Sequence, residues 1–473
     1  MRVPRRGGRA ALVLAAALLA CAPVGPRPAS IPTATLPEPL PDGRPARVAL
    51  VSVAGLSPEA ALGRGGDAPD MPTLRALARR GVVAEATRTV APASAYPAHT
   101  TLVTGRTPAG HGVPADRRLG QRGVRRARYS DASHVRGDTL WQLAASDGVP
   151  VAALDWPATL GAAIPLLLPD VVPVRRGETW KGLLAGSATP WVRAAVERHA
   201  DPALGAPGPA RDALLVDLSC QILSAPRPPA LLLLRLSQTE PALLGAGPYG
   251  DAARAAFTQV DAELGRLLGC LADGGRMDAA LVVVGDRVPL PVHTTIHPNT
   301  ALADAGLIGA GSWLALSRSN GGSAFVYASD ETAALQARRV LEEETAETGT
   351  FRIVPATEMI RLGADPDAWF GLEAEPGYVF SDQTGEPRLR PATVRAAGGQ
   401  LTGAASPAFV AYGRGVRAGV RVPLLRQVDV APTVASLLGL ALPGAEGRAL
   451  VGLLAVPDVA TRPAPDAPGE ERP

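Results

Sequence analysis

Cysteine is scarce in this chain, with 3 among 473 residues. That excludes a disulfide-built scaffold, and the lack of any CxxC or HExxH excludes the compact redox and zinc motifs. An excess of one charge is also missing: 47 Lys and Arg face 44 Asp and Glu, for a net charge of +3. The arginines are scattered rather than blocked, so nucleic acid is excluded as a partner. The apolar run Ala10 to Ala20 near the start is too short to span a bilayer. No internal repeat is present, which excludes a solenoid.

Arg2, Arg5, Arg6 and Arg9 precede that apolar run, which ends Leu18-Leu19-Ala20-Cys21. A basic segment, a short apolar segment and a small residue before the cleavage point describe a secretory signal over residues 1–20. Cysteine directly after Leu-Leu-Ala resembles a bacterial lipobox, which implies that Cys21 is acylated and becomes the mature N-terminus. The alternative is an ordinary signal with an incidental cysteine. The expected localisation is the cell envelope, lipid-anchored on a periplasmic or outer-membrane face, with the membrane as a partner through Cys21. Residues 21–45 are Pro-rich and read as an extended tether, and residues 456–473 as a disordered tail. Between them, 47% hydrophobic composition is ample for a core. Cys220 and Cys270 fall in helical patterns and read as buried thiols rather than a disulfide, although an exported protein permits one.

The body alternates strand and helix. Arg47 to Val53, Val149 to Asp155, Ala230 to Leu236 and Ala279 to Val284 are short apolar runs that fit buried parallel strands. Met71 to Gly81, Asp138 to Ala144, Ala213 to Leu223 and Asp251 to Leu271 have helical patterning and end signals. A last strand at Ala408 to Tyr412 precedes a helix that Asp429 or Thr433 could cap and Gly439 ends. This alternation predicts an α/β fold, a doubly wound, mostly parallel sheet sandwiched by helices. Residues 157–208, Pro/Gly-rich and irregular, read as a cap inserted over the sheet edge; residues 322–380 read as a small α+β subdomain. Ligands of such sheets bind beyond the carboxyl ends of strands, so Ala54, Ser237 to Gly247 and Asp286-Arg287 are the positions to examine.

A further stretch, Val90 to Gly105 (VAPASAYPAHTTLVTG), brackets Ala93-Ser94-Ala95 between Pro92 and Pro97. Proline biases its predecessor to extended backbone, so a helix is expected to begin only at Pro97. A loop feeding a helix N-terminus suits a phosphate or sulfate group. Taken alone, the stretch reads first as a Pro-rich loop with no chemistry.

Four blocks then match one family in order: Val48 to Leu56 with Met71 to Leu74; Pro92 to Gly105 with Gly110-His111-Gly112; Ala153 to Pro157; and Val428 to Gly439 with Pro443 and Gly447-Arg448. The set resembles the alkaline phosphatase superfamily in its type I phosphodiesterase and nucleotide pyrophosphatase branch, over roughly residues 46–450, within a domain expected to span 46–455. The resemblance implies an alkaline-phosphatase-like domain whose ancestral site held two zinc ions. These would activate a Thr or Ser nucleophile and hold the oxygens of an in-line displacement.

The carry-over fails at most positions. Where the family has Asp-Gly after the first strand, this chain has Ala54-Gly55. The nucleophile position is Ala95, with Ser94 one residue away. The Asp, His and Gly-Pro after the third strand become Glu240, Leu244 and Gly247-Pro248; Asp-His-Gly after the fourth becomes Asp286-Arg287-Val288. The last His-bearing turn, Gly398 to Gly403, offers only Gln400 and Thr402. Asp286 and Glu240 are thus vestigial metal positions, and none of the six histidines matches a ligand position. His99 and His111 match family positions that are not ligands, and His293 and His297 lie four apart between prolines, where a helix is not expected.

Zinc needs three or four N, O or S ligands per site, so two carboxylates cannot hold two ions, and no cofactor is expected. Arg287 is expected to pair with Asp286, Glu240 or both and replace the lost metal charge, or else to reach solvent. The expectation is an exported lipoprotein pseudoenzyme with a binding or structural role, its partner a phosphate- or sulfate-bearing ligand or an envelope protein. The alternative is a working phosphodiesterase or phosphatase using Ser94, Asp286 and Glu240 with unrecognised ligands such as Asp155, Asp67 or His293.

Overall fold

Val48 to Val53 are buried on both faces of a sheet, which is why the run is continuously apolar rather than alternating. A computed structural model describes residues 36–41, 43–120, 123–199, 202–402 and 406–455. The signal segment, Cys21 and the tail lie outside the described residues.

The strand Arg47–Val53 sits near the middle of an eight-stranded sheet. Its order is Val420–Val422, Val82–Ala84, Phe409–Gly413, Ala279–Gly285, Arg47–Val53, Leu231–Leu236, Val151–Trp156, Leu166–Pro169. All neighbours are parallel except those of Phe409–Gly413, which runs antiparallel to both flanking strands. Each face carries its own core. Ala49, Val51 and Val53 pack with Leu74, Leu214, Leu218, Phe257 and Leu264 from the helices Pro72–Arg80, Pro209–Leu223 and Asp251–Leu271. Val48 and Leu50 pack with Leu102, Trp141 and Val434 from Ala95–Thr104, Leu140–Ser146 and Val430–Leu438. The chain is therefore the doubly wound α/β sheet expected from its alternation.

Several local expectations are corrected. The segment 157–208 does not lie as an irregular cap: Leu166–Pro169 adds the edge strand beside Val151–Trp156, and Trp180–Leu184 and Pro190–Glu197 are helices packed on the core. The end of the segment read as tether is docked, since Glu38–Pro39 pairs with Arg276–Met277 and Leu36 is buried. Cys220 and Cys270 are half-buried and form a disulfide joining the helices Pro209–Leu223 and Asp251–Leu271. The helix at Pro97 begins earlier, at Ala95. Proline at the third helical position is tolerated because the first four N–H groups have no intrahelical acceptor.

The α+β subdomain starts before residue 322. Ala315–Ser319, Ser323–Ala328, Phe370–Ala374 and Phe351–Val354 form an antiparallel sheet in that order, and Glu331–Thr348 covers it through Ala337 and Leu341. Gly377–Phe380 leaves that sheet and pairs with Leu290–Ile296. Asp429 precedes the last helix, but its carboxylate accepts from Arg448 N at 2.9 Å instead of capping.

Candidate functional site at the carboxyl edge of the sheet

Parallel register brings the strand ends together: Val53 lies beside Gly285 on one side and Leu236 on the other. The residues that follow, Ala54-Gly55, Ser237 to Glu240 and Asp286-Arg287, therefore share one edge. Gly55 has φ +73°, and a Cβ there would lie 2.3 Å from Leu243. The bare backbone lets its N–H reach Asp286 Oδ1 at 2.9 Å. Arg287 N also donates to that oxygen, at 2.8 Å.

The Arg287 side chain folds back over this edge and is 7% exposed. Its Nη1 donates to Asp286 Oδ2, and its Nη2 to Glu240 Oε1 at 2.5 Å. Gly398 lies against it: a Cβ there would stand 2.8 Å from Arg287 Cδ. The 398–402 turn is in turn tied to the Ser94 loop, with Gly399 N donating to Ala93 O at 2.7 Å and Ala93 N to Gln400 O at 2.9 Å. Gln400 Nε2 donates to Ala397 O, and the Thr402 backbone N–H donates to Glu373.

A second arginine was not singled out from the sequence. Arg235 stands inside the strand Leu231–Leu236 and is buried. Its Nη2 donates to Glu240 Oε2 at 3.1 Å, and its Nη1 lies 3.5 Å from Asp170 and 3.7 Å from Asp155. Asp155 also meets Arg211 at 3.4 Å. The signal was present: an arginine between leucines of a strand buried on both faces needs carboxylates beside it.

These neighbours set the protonation states. Burial alone would raise the carboxyl groups, but Arg287 holds Asp286 below its ordinary value, and Arg287 with Arg235 does the same for Glu240. Burial opposes the charge of Arg287, yet Asp286 and Glu240 raise its pKa above the ordinary value. Desolvation wins at Asp155, pushed up to about 6, and at Asp212, pushed up to about 7. Asp212 spends its oxygens on Ser237 N and Gln238 N, at 3.0 and 2.9 Å.

Ser94 ends the loop immediately before the helix Ala95–Thr104. It is buried and its Oγ has no hydrogen-bond partner among the described residues, so no base among them is aligned with it. Ala95 opens the helix, and the next N–H, of Tyr96, is taken by Asp116 Oδ1 at 2.8 Å. A carboxylate of the chain thus already sits at the helix end read as suited to an external anion. Behind it His99 is fully buried. Its Nδ1 faces Ala95 O at 2.7 Å, and burial drives its pKa down to about 4.

The residues present do not fit two zinc ions. Asp286 and Glu240 face guanidinium groups, Leu244 and Arg287 offer no ligand atom where the family resemblance implies histidines, and the imidazole nearby, His99, matches none of the implied ligand positions. Of the substitutes considered, Asp155 is paired with arginines, Asp67 is exposed, and His293 is exposed with its ring against Tyr378 at 5.3 Å. His297 follows the strand Leu290–Ile296 and is not on a helix with His293. Among the described residues, no group of three or more His, Cys, Asp or Glu converges as a metal would require.

The sequence matches the family described as type I phosphodiesterase / nucleotide pyrophosphatase over residues 48–383. The chain belongs to this family. It is the nucleotide pyrophosphatase branch of the alkaline phosphatase superfamily. Among solved structures, an inactive Thr-to-Ala variant of murine ectonucleotide pyrophosphatase / phosphodiesterase 5 in complex with AMP is similar. It has a TM-score of 0.62 and 16% identity, covering 86% of this chain and 99% of that one. The human counterpart gives 0.61 and 15%, with 86% and 99% covered. At this identity the likeness shows the fold. No curated protein matches the sequence.

Proposed function

We propose that this family member is an exported, lipid-anchored pseudoenzyme with a binding or structural role at the cell envelope. One observation carries the reading: Arg287 and Arg235 neutralise Asp286 and Glu240 at the strand ends. A guanidinium fixed by two hydrogen-bonded carboxylates supplies positive charge without an open coordination position, so it stabilises the fold but cannot activate water or an alcohol. Ala95 at the nucleophile position and Ser94 without a base agree with this. The murine relative is in complex with AMP as an inactive Thr-to-Ala variant; in that fold, losing activity is compatible with holding a ligand.

Export is supported by the basic and apolar start that ends at Cys21, and by the Cys220–Cys270 disulfide, which suits an oxidising compartment. The lipid on Cys21 would be the attachment; no helix among the described residues is long and apolar enough to cross a membrane.

The test is metal content and hydrolysis together. Protein expressed with zinc and exchanged into metal-free buffer should retain no zinc and leave a nitrophenyl phosphodiester intact. Near-stoichiometric zinc, with hydrolysis abolished by Ser94→Ala, would overturn the reading in favour of a working hydrolase.

A further inference from the structure

Arg318 is the least expected cation in the molecule. It is 2% exposed, it lies in the strand Ala315–Ser319, and none of its nitrogens comes within 4 Å of a carboxylate among the described residues. Its hydrogen bond is from Nη1 to the Arg118 carbonyl at 3.3 Å, and its Nε has no partner among the described residues. Burial lowers its pKa, with Asp382 the leading opposing charge. The Asp382 carboxylate is itself engaged, accepting from Ser319 N at 2.5 Å. A buried guanidinium with unused donors is destabilising unless an anion meets it; the other buried arginines at the strand ends meet theirs.

Arg318 faces a cavity of about 320 Å³ that also receives Arg117, Arg118 and Arg136. None of these three forms an ion pair among the described residues. The opposing acids are Asp365 and Asp367. Asp365 is occupied, accepting from Tyr327 OH at 2.6 Å and Asp367 N at 3.0 Å. Counting these six groups, four arginines face two carboxylates, so the cavity carries positive charge. Its walls come from both parts of the chain: the loop after the helix Pro108–His111 on one side, the α+β subdomain on the other. Tyr129 and Tyr327 supply ring surface beside the charge. Asp286, Glu240, Arg287 and Ser94 do not line it.

We propose that this cavity is a binding site for a small molecule carrying a tetrahedral oxyanion, a phosphate or sulfate ester, with the charged group on Arg318 and its organic part against the tyrosines. Several arginines converging from different segments can surround the oxygens of such a group through their forked donors, which a single carboxylate would not saturate. The volume lies at the lower end of ligand pockets and admits a small ester rather than a polymer. The proposal is independent of whether the strand-end site is catalytic.

Inorganic phosphate and sulfate, titrated separately into the full-length protein at constant ionic strength by calorimetry, test it. Arg318→Met should weaken binding by roughly tenfold or more, the loss of a charge-assisted hydrogen-bonding partner, without lowering the unliganded melting temperature. Arg117→Ala, at an exposed position that does not endanger folding, should weaken it several-fold. Tighter phosphate assigns a phosphate ester, and tighter sulfate a sulfate ester. Failure of both anions to bind the unmodified protein overturns the proposal, as does undiminished binding by Arg117→Ala or by folded Arg318→Met.

Discussion

Arg287 turns its guanidinium onto two carboxylates at the strand ends, Asp286 and Glu240. Arg287→Ala would leave both carboxylates without this cation in a site where Asp286 is fully buried. Breaking a buried pair this way costs about 3–5 kcal/mol, so denaturant unfolding should show a loss of that size. Unchanged stability would mean that the pairing contributes nothing. His99 offers a second residue-scale check. Its pKa is about 4 in the fold because it is fully buried, against an ordinary value of 6.5. The unfolded chain therefore binds the extra proton first. The histidine's contribution is fully present above pH 6.5 and is lost as pH falls toward 4. Between pH 7 and pH 4 the protein should lose about 3 kcal/mol more than His99→Gln does. The comparison matters because Asp212, raised to about 7, works with the opposite sign and is common to both proteins. Parallel stability curves for the two would refute the depressed pKa.

At the scale of elements, the apolar runs and their stop signals placed most helices and strands within a few residues. Asp251–Leu271 was bounded by its pattern, and Thr139 caps Leu140–Ser146 in a capping box with Gln142. Leu166–Pro169 escaped because four residues in a Pro/Gly-rich stretch carry too little periodicity to mark a strand; the ladder with Val151–Trp156 makes it one. The disulfide escaped for another reason. Spacing along two helices says nothing about which faces meet, and only packing brings Cys220 and Cys270 to a Cα separation of 5.3 Å. The bond spans 50 residues of sequence. Closing a loop of that length in the unfolded chain should contribute about 4 kcal/mol. Reduction with dithiothreitol should lower the unfolding midpoint accordingly, and no shift would show that the bridge does not constrain the unfolded chain.

For the whole molecule, the sequence determined the fold class, the strands buried on both faces, and the edge where a site would form, because apolar periodicity and parallel order are local properties of the chain. It also determined that Ala54, Ala95 and Leu244 bring no ligand or nucleophilic atom, wherever they are placed. Pairing was a different matter. That Arg287 turns inward rather than to solvent, that Arg235 shares Glu240 with it, and that Asp116 occupies Tyr96 N all depend on segments far apart in sequence. The same holds for the cavity around Arg318, whose charge exists only because Arg318 of a subdomain strand shares it with Arg117, Arg118 and Arg136. Electrostatic partnership is set by distance and burial in three dimensions, and these only tertiary packing decides.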